Sequence, residues 1–499
     1  MLDYRDSEIT FTKEELEQIA QIKRFTEWLQ ADSDLRNGLY NDKPLTTGQI
    51  NRMKKIGIHL NLSDIEFIWI YPLATSEYIS NFIKDNEELI DEELQNIVSR
   101  YPLLKLWGRY MKISDKSLDI TQKRLASEST NERFEAWRNR RILATKSELG
   151  FMSMRLSHPS FTFELNEGCS VGCWFCSFAP DKLTGTLDYP KNRDEVLSII
   201  RKCGEIFGGD MIKLSLPYYR TEPHDNPHYI DFLKDFENET GAVICTATAV
   251  CNDKKWIKKL IDYYQNREVG SKLRWPRLSI LSLGILKYVH LSFSPMEIID
   301  VELLIQVKDH PRDKVTGGRI LKDNAGLRDS DELLQVQNPF DMPIIPQGSI
   351  ACVSGFIINL VSQTIKIISP CYVSEKWPHG FRVFGQTTYK DASDFGDAIE
   401  ALTVRYMHLS PPEDKIVKFR DDIVFNSTDD GFILITACQR HRFKGRNING
   451  PLGELINSGK FTYDELINEL TGKYNVNGFI VSAVIQNLFE DGLMDEVYD

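Results

Sequence analysis

Short apolar strands alternate with amphipathic helices between residues 160 and 306, and this alternation constrains the fold more than any other feature of the chain. The sequence predicts strands over residues 161–166, 211–216, 242–248, 278–280 and 301–306. It predicts helices between them over residues 193–206, 227–236 and 254–264. Repeated βα units imply an α/β fold, with a parallel sheet closed fully or partly into a barrel. Functional loops then lie at the carboxyl ends of the strands. We place this partial (β/α) barrel at residues 151–345.

A helical N-terminal region, residues 1–150, precedes the barrel. Thr12 is the expected N-cap of its first helix, because an apolar-periodic stretch follows it. Residues 132–145 form a later helix in this region. This helix carries three arginines, which we interpret as a solvated face rather than a contact for phosphate or an acidic peptide: Arg138, Arg140 and Arg141.

Two further regions follow the barrel. Residues 346–410 contain a hairpin-like pair, 355–360 and 364–368, and also hold Cys371. Beyond Pro411-Pro412, the sequence predicts strands over 422–425, 431–435 and 440–444 and helices beginning at 450, 463 and 477. Three short strands and three short helices predict a small winged-helix-like module over residues 415–499, called the tail below.

Composition excludes several classes of protein. The chain of 499 residues has 60 Lys and Arg against 72 Asp and Glu, a net charge of −12, which argues against a binder of nucleic acid or anionic membranes. No apolar run approaches the roughly 18 residues of a membrane span. The acidic start lacks the basic and apolar regions of a signal peptide. We therefore expect a soluble, cytoplasmic protein.

Three of the nine cysteines lie within eight residues and carry the clearest chemical signal. Cys169, Cys173 and Cys176 have the spacing C-x3-C-x2-C directly after a predicted strand. Thiolates are the usual ligands of iron–sulfur clusters, and nearby glycines let the backbone wrap tightly. Three ligands leave one iron of a [4Fe–4S] cluster open, and an open iron can bind the amino and carboxylate groups of S-adenosylmethionine (SAM). A zinc knuckle or three coincidental buried cysteines are the alternatives.

This motif resembles that of the radical SAM superfamily, in which an aromatic residue precedes the last cysteine, as Phe175 does here. The resemblance implies one [4Fe–4S] cluster that cleaves SAM to a 5′-deoxyadenosyl radical. Family members place Gly-Gly-Glu after the second strand to bind the SAM amine. This chain has Arg220-Thr221-Glu222 there, so Glu222 is the candidate, with backbone help from Thr221. Two residues of a later strand are candidates for the ribose or carboxylate: Arg277 and Ser279.

Cys371 follows a predicted strand through Ser369-Pro370. A protonated thiol donates a hydrogen atom readily to a carbon radical, and burial in apolar surroundings keeps a thiol protonated. A lone cysteine is nevertheless more often a small buried hydrophobe. From these residues alone, both interpretations of Cys371 stay open.

The tail resembles the PqqD-like domains that bind the leader peptides of ribosomal peptide precursors. Three features carry this resemblance: the order of the strands, the turn Asp429-Asp430-Gly431 and the final Leu488-Phe-Glu-Asp-Gly-Leu493. Together with Glu164 to Cys176 and Ser369-Pro-Cys371, it makes residues 150–499 similar to radical SAM peptide epimerases of the proteusin type. That resemblance implies conversion of L-residues to D-residues in a precursor peptide, with Cys371 returning hydrogen and Cys352 as the fallback donor. It also implies a flavodoxin or ferredoxin as electron donor.

Two other functions remain open from the sequence. Another radical SAM peptide enzyme, such as a cyclase or methyltransferase, is disfavoured because no further C-x2-C pair follows Cys176 and no cobalamin-binding domain is apparent. An iron–sulfur sensor with a DNA-binding winged helix is disfavoured by acidic residues in the tail such as Glu454 and Asp464.

Overall fold

The computed structural model of the chain describes residues 10–71, 75, 92–112, 127–150, 153, 156–265, 276–310, 317–320, 351–445 and 447–498. These residues form a mixed α/β protein in which about half of the described residues are helical and several sheets are present. No helix in these ranges is long and apolar enough to span a membrane.

Helices occur throughout the described residues. They span Lys13–Ala31, Ser33–Tyr40, Thr47–Lys55, Phe67–Ile70, Glu92–Arg100, Glu132–Leu149, Tyr189–Phe207, Gly209–Lys213, Tyr229–Thr240, Lys254–Gln265, Leu283–Ser292, Ala392–Tyr406, Asn449–Ser458, Tyr463–Tyr474 and Gly478–Glu490. Residues 102–112 are also helical.

The strands fall into four sheets. They are β1 (Phe161–Glu164), β2 (Asn166–Glu167), β3 (Gly185–Thr186), β4 (Ser215–Leu216), β5 (Thr246–Thr248), β6 (Pro276–Ile280), β7 (Glu302–Ile305), β8 (Gly355–Asn359), β9 (Thr364–Pro370), β10 (Phe381–Thr388), β11 (Val424–Thr428), β12 (Gly431–Ile435) and β13 (Arg440–Lys444). The sheet orders are β10-β9-β8-β1-β4, β5-β6-β7, β11-β12-β13 and β2-β3.

The chain forms two compact units. Unit one comprises residues 1–126 and 222–313, and unit two comprises residues 127–221 and 314–499. These divisions differ from the expected domain boundary at residue 150, and they distribute the residues expected in one barrel between the two units.

Unit one packs its N-terminal helices onto a parallel sheet. Strands β5, β6 and β7 are parallel neighbours. Phe25 and Trp28 of the first helix share a hydrophobic core with Leu278 and Leu303 of the sheet. Thr12 caps that first helix in a capping box, as the sequence predicted. The N-terminal helices thus bury one side of their amphipathic surface against the strands.

Unit two is built on the five-stranded sheet. Strand β1 pairs in parallel with both β4 and β8, and β8 forms the expected hairpin with β9. The last strand, β10, pairs antiparallel with β9 and was not predicted. The expected strand over 211–216 was wrong in its first half: residues 209–213 are helical, and only Ser215–Leu216 pairs with β1. An apolar run this short fits a buried helix as well as a strand.

The tail has the predicted order of three strands followed by three helices. Its antiparallel sheet has β12 in the centre. Its helices bury their apolar faces against that sheet in a core of their own, which includes Phe432, Leu466 and Leu488.

The three arginines of Glu132–Leu149 are buried, so the interpretation as a solvated face was wrong. Arg140 lies 2.8 Å from the Glu496 carboxylate, and Arg141 contacts the same group. Arg138 donates to the carbonyl of His158. The charges of Arg140 and Arg141 are thus compensated by Glu496 inside the protein, and Arg138 is hydrogen-bonded there, which are the conditions under which arginine is tolerated in a core.

Candidate functional site

The three clustered cysteines lie in a loop, residues 168–182, called the cysteine loop here. It directly follows β2, and all three cysteine side chains are partly buried. Gly168 begins the loop with a φ of +83°, and a Cβ there would lie 2.3 Å from the carbonyl oxygen of Lys182. Gly172 has a φ of +65°, but a Cβ there would make only ordinary contact with the Arg319 guanidinium, at 3.8 Å. The backbone therefore needs glycine at both positions, for conformation at Gly172 and for conformation and space at Gly168.

A short segment, residues 317–320, holds the cysteine loop. Arg319 donates from its guanidinium to the carbonyls of Cys173 (3.3 Å) and Pro180 (2.8 Å), and from its backbone to the carbonyl of Cys176 (3.1 Å). One arginine thus links both ends of the loop, and each of these bonds satisfies a loop carbonyl.

No group of three or more Cys, His, Asp or Glu side chains in the described ranges is gathered closely enough to hold a metal ion. None of the nine cysteines, all of them described, is in a disulfide. Three thiols carried by one partly exposed loop with glycine backbone geometry remain a donor set suited to an iron–sulfur cluster. The residues that would hold such a cluster are Cys169, Cys173 and Cys176.

Cys371 is completely buried at the end of β9. Its backbone N–H donates to the carbonyl of Gly380 at 3.0 Å. The neighbours on either side are held by one helix: Thr145 donates to the carbonyl of Pro370 (3.5 Å), and Glu148 accepts from the N–H of Tyr372 (3.0 Å). Burial raises the pKa of the Cys371 thiol far above its ordinary value, so the thiol is protonated at neutral pH.

The loop that follows Cys371, residues 371–380, contacts the cysteine loop directly. The His379 ring donates to the carbonyl of Ser177 at 3.0 Å, and the Ser177 hydroxyl donates to the carbonyl of His379 at 3.3 Å. Phe178 packs on Tyr219 with ring centroids 4.4 Å apart and on Phe381 at 6.1 Å. Unit two therefore brings the predicted metal ligands and the predicted hydrogen donor into neighbouring loops.

The end of β1 carries a buried acid to which sequence analysis assigned no role. Glu164 accepts the backbone N–H of Arg220 at 2.9 Å and the side-chain amide of Asn359 at 3.2 Å. Burial raises the pKa of Glu164, although the charge of Arg220 works against that rise. Glu164 joins β1 to β8 and to the loop after β4, just before the cysteine loop. An acid inside an otherwise apolar strand was the signal available in the sequence.

Glu222 belongs to unit one and is also buried. Its carboxylate accepts from the Thr248 hydroxyl, from the Ala249 N–H at 2.9 Å and from the His224 N–H at 3.0 Å. Burial raises the pKa of Glu222, while these hydrogen bonds lower it. The carboxylate thus links a short 3₁₀ turn to the end of β5 by hydrogen bonds. The sequence did not predict this structural role.

The other predicted SAM contacts are distributed between the units. In unit one, Arg277 pairs across β6 and β7 with Glu302 at 2.8 Å, and Ser279 lies further along β6 with its carbonyl accepting from Cys251. In unit two, Phe175 and Thr221 are partly buried.

Cys352, the fallback donor, is partly buried. It packs against the hydrophobic cluster that contains Tyr219 and Phe381. Both candidate donors thus lie in unit two, and Cys371 is the more deeply buried of them.

The comparisons with known proteins give one relative and no named family. No protein-family model and no solved structure matches the chain. An uncharacterized protein of Sinorhizobium fredii (strain NBRC 101917 / NGR234), y4wI, is 29% identical over 494 residues, which cover 98% of this chain and 89% of the relative. The likeness extends over both units and the tail.

Proposed function

We propose that the chain is a radical SAM peptide epimerase. In this proposal the parallel strands form a partial barrel, the tail is a winged-helix-like module of PqqD type, and the substrate is a ribosomally made precursor peptide. The reaction converts L-residues of that peptide to D-residues.

The observation that carries the proposal is the contact between the cysteine loop and the loop after Cys371. A loop with three thiols for a cluster and a buried, protonated thiol are joined through Ser177 and His379. An enzyme that removes hydrogen from one face of a carbon and returns it from the other needs both groups beside one substrate.

The residues of the chain would have distinct tasks. Cys169, Cys173 and Cys176 would hold a [4Fe–4S] cluster, which with SAM supplies the 5′-deoxyadenosyl radical. Cys371 would return hydrogen: its S–H bond breaks, a C–H bond forms at the peptide Cα, and a sulfur radical remains. One electron from a flavodoxin or ferredoxin and one proton from water would restore the thiol. Burial supports this task, because it keeps the proton on sulfur.

The tail would capture the leader of the precursor peptide. Its sheet ends in two edge strands, β11 and β13, whose outer sides have no strand partner in the described part of the chain. An extended peptide adds to such an edge through backbone hydrogen bonds, with selectivity from side-chain pockets. Leader binding would raise the effective concentration of the core peptide at the site.

Co-expression with a precursor peptide in deuterated water without oxygen tests the proposal. We expect D-residues that carry deuterium at Cα in the hydrolysed peptide, because the thiol exchanges its proton with solvent. Cys371→Ala should keep deoxyadenosine formation and lose D-residues, whereas Cys438→Ser should resemble the unmodified protein. An all-L peptide with a crosslink or added methyl group would reject epimerisation in favour of another radical SAM reaction. Absence of deoxyadenosine would reject both.

A further inference from the structure

Four buried charged side chains near Cys371 form a row of ion pairs, called the charge ring here because Arg420 closes it on the helix that carries Glu148. Arg382 of β10 binds the Glu148 carboxylate through both terminal nitrogens, at 2.7 and 3.1 Å. Arg382 also lies 3.5 Å from Asp422, which accepts from Arg420 at 2.9 and 2.8 Å. Arg420 then returns to the helix that carries Glu148 by donating to Ser147 at 2.9 Å.

The charge ring contacts the backbone beside Cys371, because the Glu148 carboxylate accepts the N–H of Tyr372, the next residue. The same helix holds Pro370 through Thr145. Breaking the ring would release Glu148 and with it one of these two supports. The ring thus holds the backbone on one side of Cys371 in place.

Half of the charge ring belongs to the tail. Arg420 and Asp422 follow Val417 and Phe419, which are buried in the tail's own core. Arg420 also donates to the carbonyl of Gly492 at the far end of the tail. Any shift of the tail would therefore carry these two charges with it. The four side chains of the ring are each at most 7% exposed. A domain that only captured a peptide could be attached by a flexible linker and would not need such a buried connection.

The ring contains two arginines and two acids, and burial raises the pKa of Glu148 although the charge of Arg382 works against that rise. Burial disfavours the charged form of Asp422, but Arg420 and Arg382 hold its pKa below the ordinary value. Burial alone would also lower the pKa of Arg382, yet Glu148 and the other anions beside it raise that pKa well above normal. Such a ring costs much desolvation, and its members position one another.

We infer that Arg420 and Asp422 are positioning residues for Cys371, so that the tail takes part in hydrogen return as well as in peptide capture. This inference rests on the proposed function for its catalytic meaning. Without that function, the inference still predicts a structural effect. Removing one tail charge should make the backbone around Cys371 more mobile while the rest of unit two stays folded.

Asp422→Asn tests the inference, because it removes one charge from the ring and keeps the side-chain shape. Glu469→Gln is the matched control: Glu469 is also a tail acid paired with a basic residue, Lys473, at 3.4 Å, but this pair is partly exposed, on the helix Tyr463–Tyr474 and outside the ring. Each protein would be treated with iodoacetamide, and alkylation of Cys371 and of Cys203 would be followed by mass spectrometry. Cys203 is equally buried, on the helix Tyr189–Phe207, and reports general loosening.

In Asp422→Asn we expect alkylation of Cys371 to accelerate by roughly tenfold or more, since loss of one partner weakens a buried ion network strongly. Cys203 should stay as protected as in Glu469→Gln. Equal acceleration at both cysteines, or at neither, overturns the inference.

The ratio of D-residues to deoxyadenosine gives the second readout. We expect it to fall in Asp422→Asn at unchanged SAM cleavage and unchanged leader-peptide affinity, and to stay normal in Glu469→Gln. An unchanged ratio in a protein that makes D-residues overturns the positioning role. If the unmodified protein makes no D-residues, the proposed function fails, and the alkylation experiment alone decides whether the ring mounts Cys371.

Discussion

The cysteine loop and Cys371 are neighbours in unit two, yet the chain holds them by different means. The loop is partly exposed and is held by hydrogen bonds to its backbone carbonyls, chiefly from Arg319. Cys371 is completely buried and rests on Glu148, whose charge is compensated by Arg382. Backbone contacts let a loop adjust to a ligand that it must wrap, whereas a buried ion network fixes one geometry. This difference fits the proposed function, in which the cysteine loop would receive a cluster and Cys371 would be kept in place as a hydrogen donor.

The largest effect should come from the loop's own ligands. We expect Cys176→Ala to lose iron binding and deoxyadenosine formation completely, because two thiolates cannot replace the three that the motif supplies. Iron analysis and visible absorbance after anaerobic reconstitution would measure this. Cys438→Ser, at an exposed thiol, should bind iron normally. Normal iron content in Cys176→Ala would remove the cluster from the proposal.

Glu148→Gln should have the largest effect on stability. It leaves Arg382 buried without its main counter-charge, which costs about 3–5 kcal/mol of unfolding free energy. Urea denaturation followed by intrinsic fluorescence would show the lower midpoint. Glu400→Gln, at an exposed acid of the helix Ala392–Tyr406, should leave the midpoint in place. A Glu148→Gln protein as stable as its parent would show that the charge ring contributes nothing.

The two loop glycines should differ in a graded way. Gly172→Ala adds only the cost of a left-handed backbone for a residue with a Cβ, about 1–2 kcal/mol. Gly168→Ala pays a similar strain and in addition drives a Cβ against the carbonyl of Lys182. Iron content after reconstitution should therefore fall more in Gly168→Ala. Equal iron content in both variants would mean that the close approach to Lys182 does not shape the loop.

The smallest effect should be a pH dependence of opposite sign at two buried acids. Burial favours protonation of Glu496, but Arg141 and Arg140 hold its pKa below 4.5, so its stabilising contribution is present above pH 4.5 and is lost as pH falls through its folded pKa. Burial raises the pKa of Glu164 above 4.5, so its contribution is full below pH 4.5 and is lost as pH rises through its folded pKa.

Melting temperatures between pH 7 and pH 4 would show these two slopes. The advantage of the unmodified protein over Glu496→Gln should shrink as pH falls, and its advantage over Glu164→Gln should grow. The same slope in both variants would contradict the assignment of one acid to a charge-compensated site and the other to a site dominated by burial.

Local sequence signals predicted most elements but not their surroundings. Thr12 with Glu15 gave a correct helix start, and the run 355–368 gave a correct hairpin, because capping and turn formation depend on adjacent residues. The environment predicted for Arg140 and Arg141 was wrong, since their partner Glu496 lies more than 350 residues away along the chain. Long-range compensation of charge leaves no mark in a local pattern.

The site shows the same limit. The cysteine spacing is local, and so the three predicted ligands share one loop. Two contacts of the site join residues about 200 positions apart: Ser177 with His379, and Glu148 with Tyr372. No sequence signal near either partner predicts these contacts. Arg319 likewise stands outside every motif that the sequence offered.

The cysteine loop and Cys371 differ in solvent exposure, and this difference predicts how each responds to oxidation by air. Oxidation of cysteine follows thiolate character and solvent access, so the partly exposed cysteines of the loop are the vulnerable ones. Cys371, buried and protonated, is shielded from the same oxidants. Under the proposed function, activity lost by brief contact with air should therefore recover when iron and sulfide are supplied under reducing conditions. Cys371, the proposed hydrogen donor, would have survived intact.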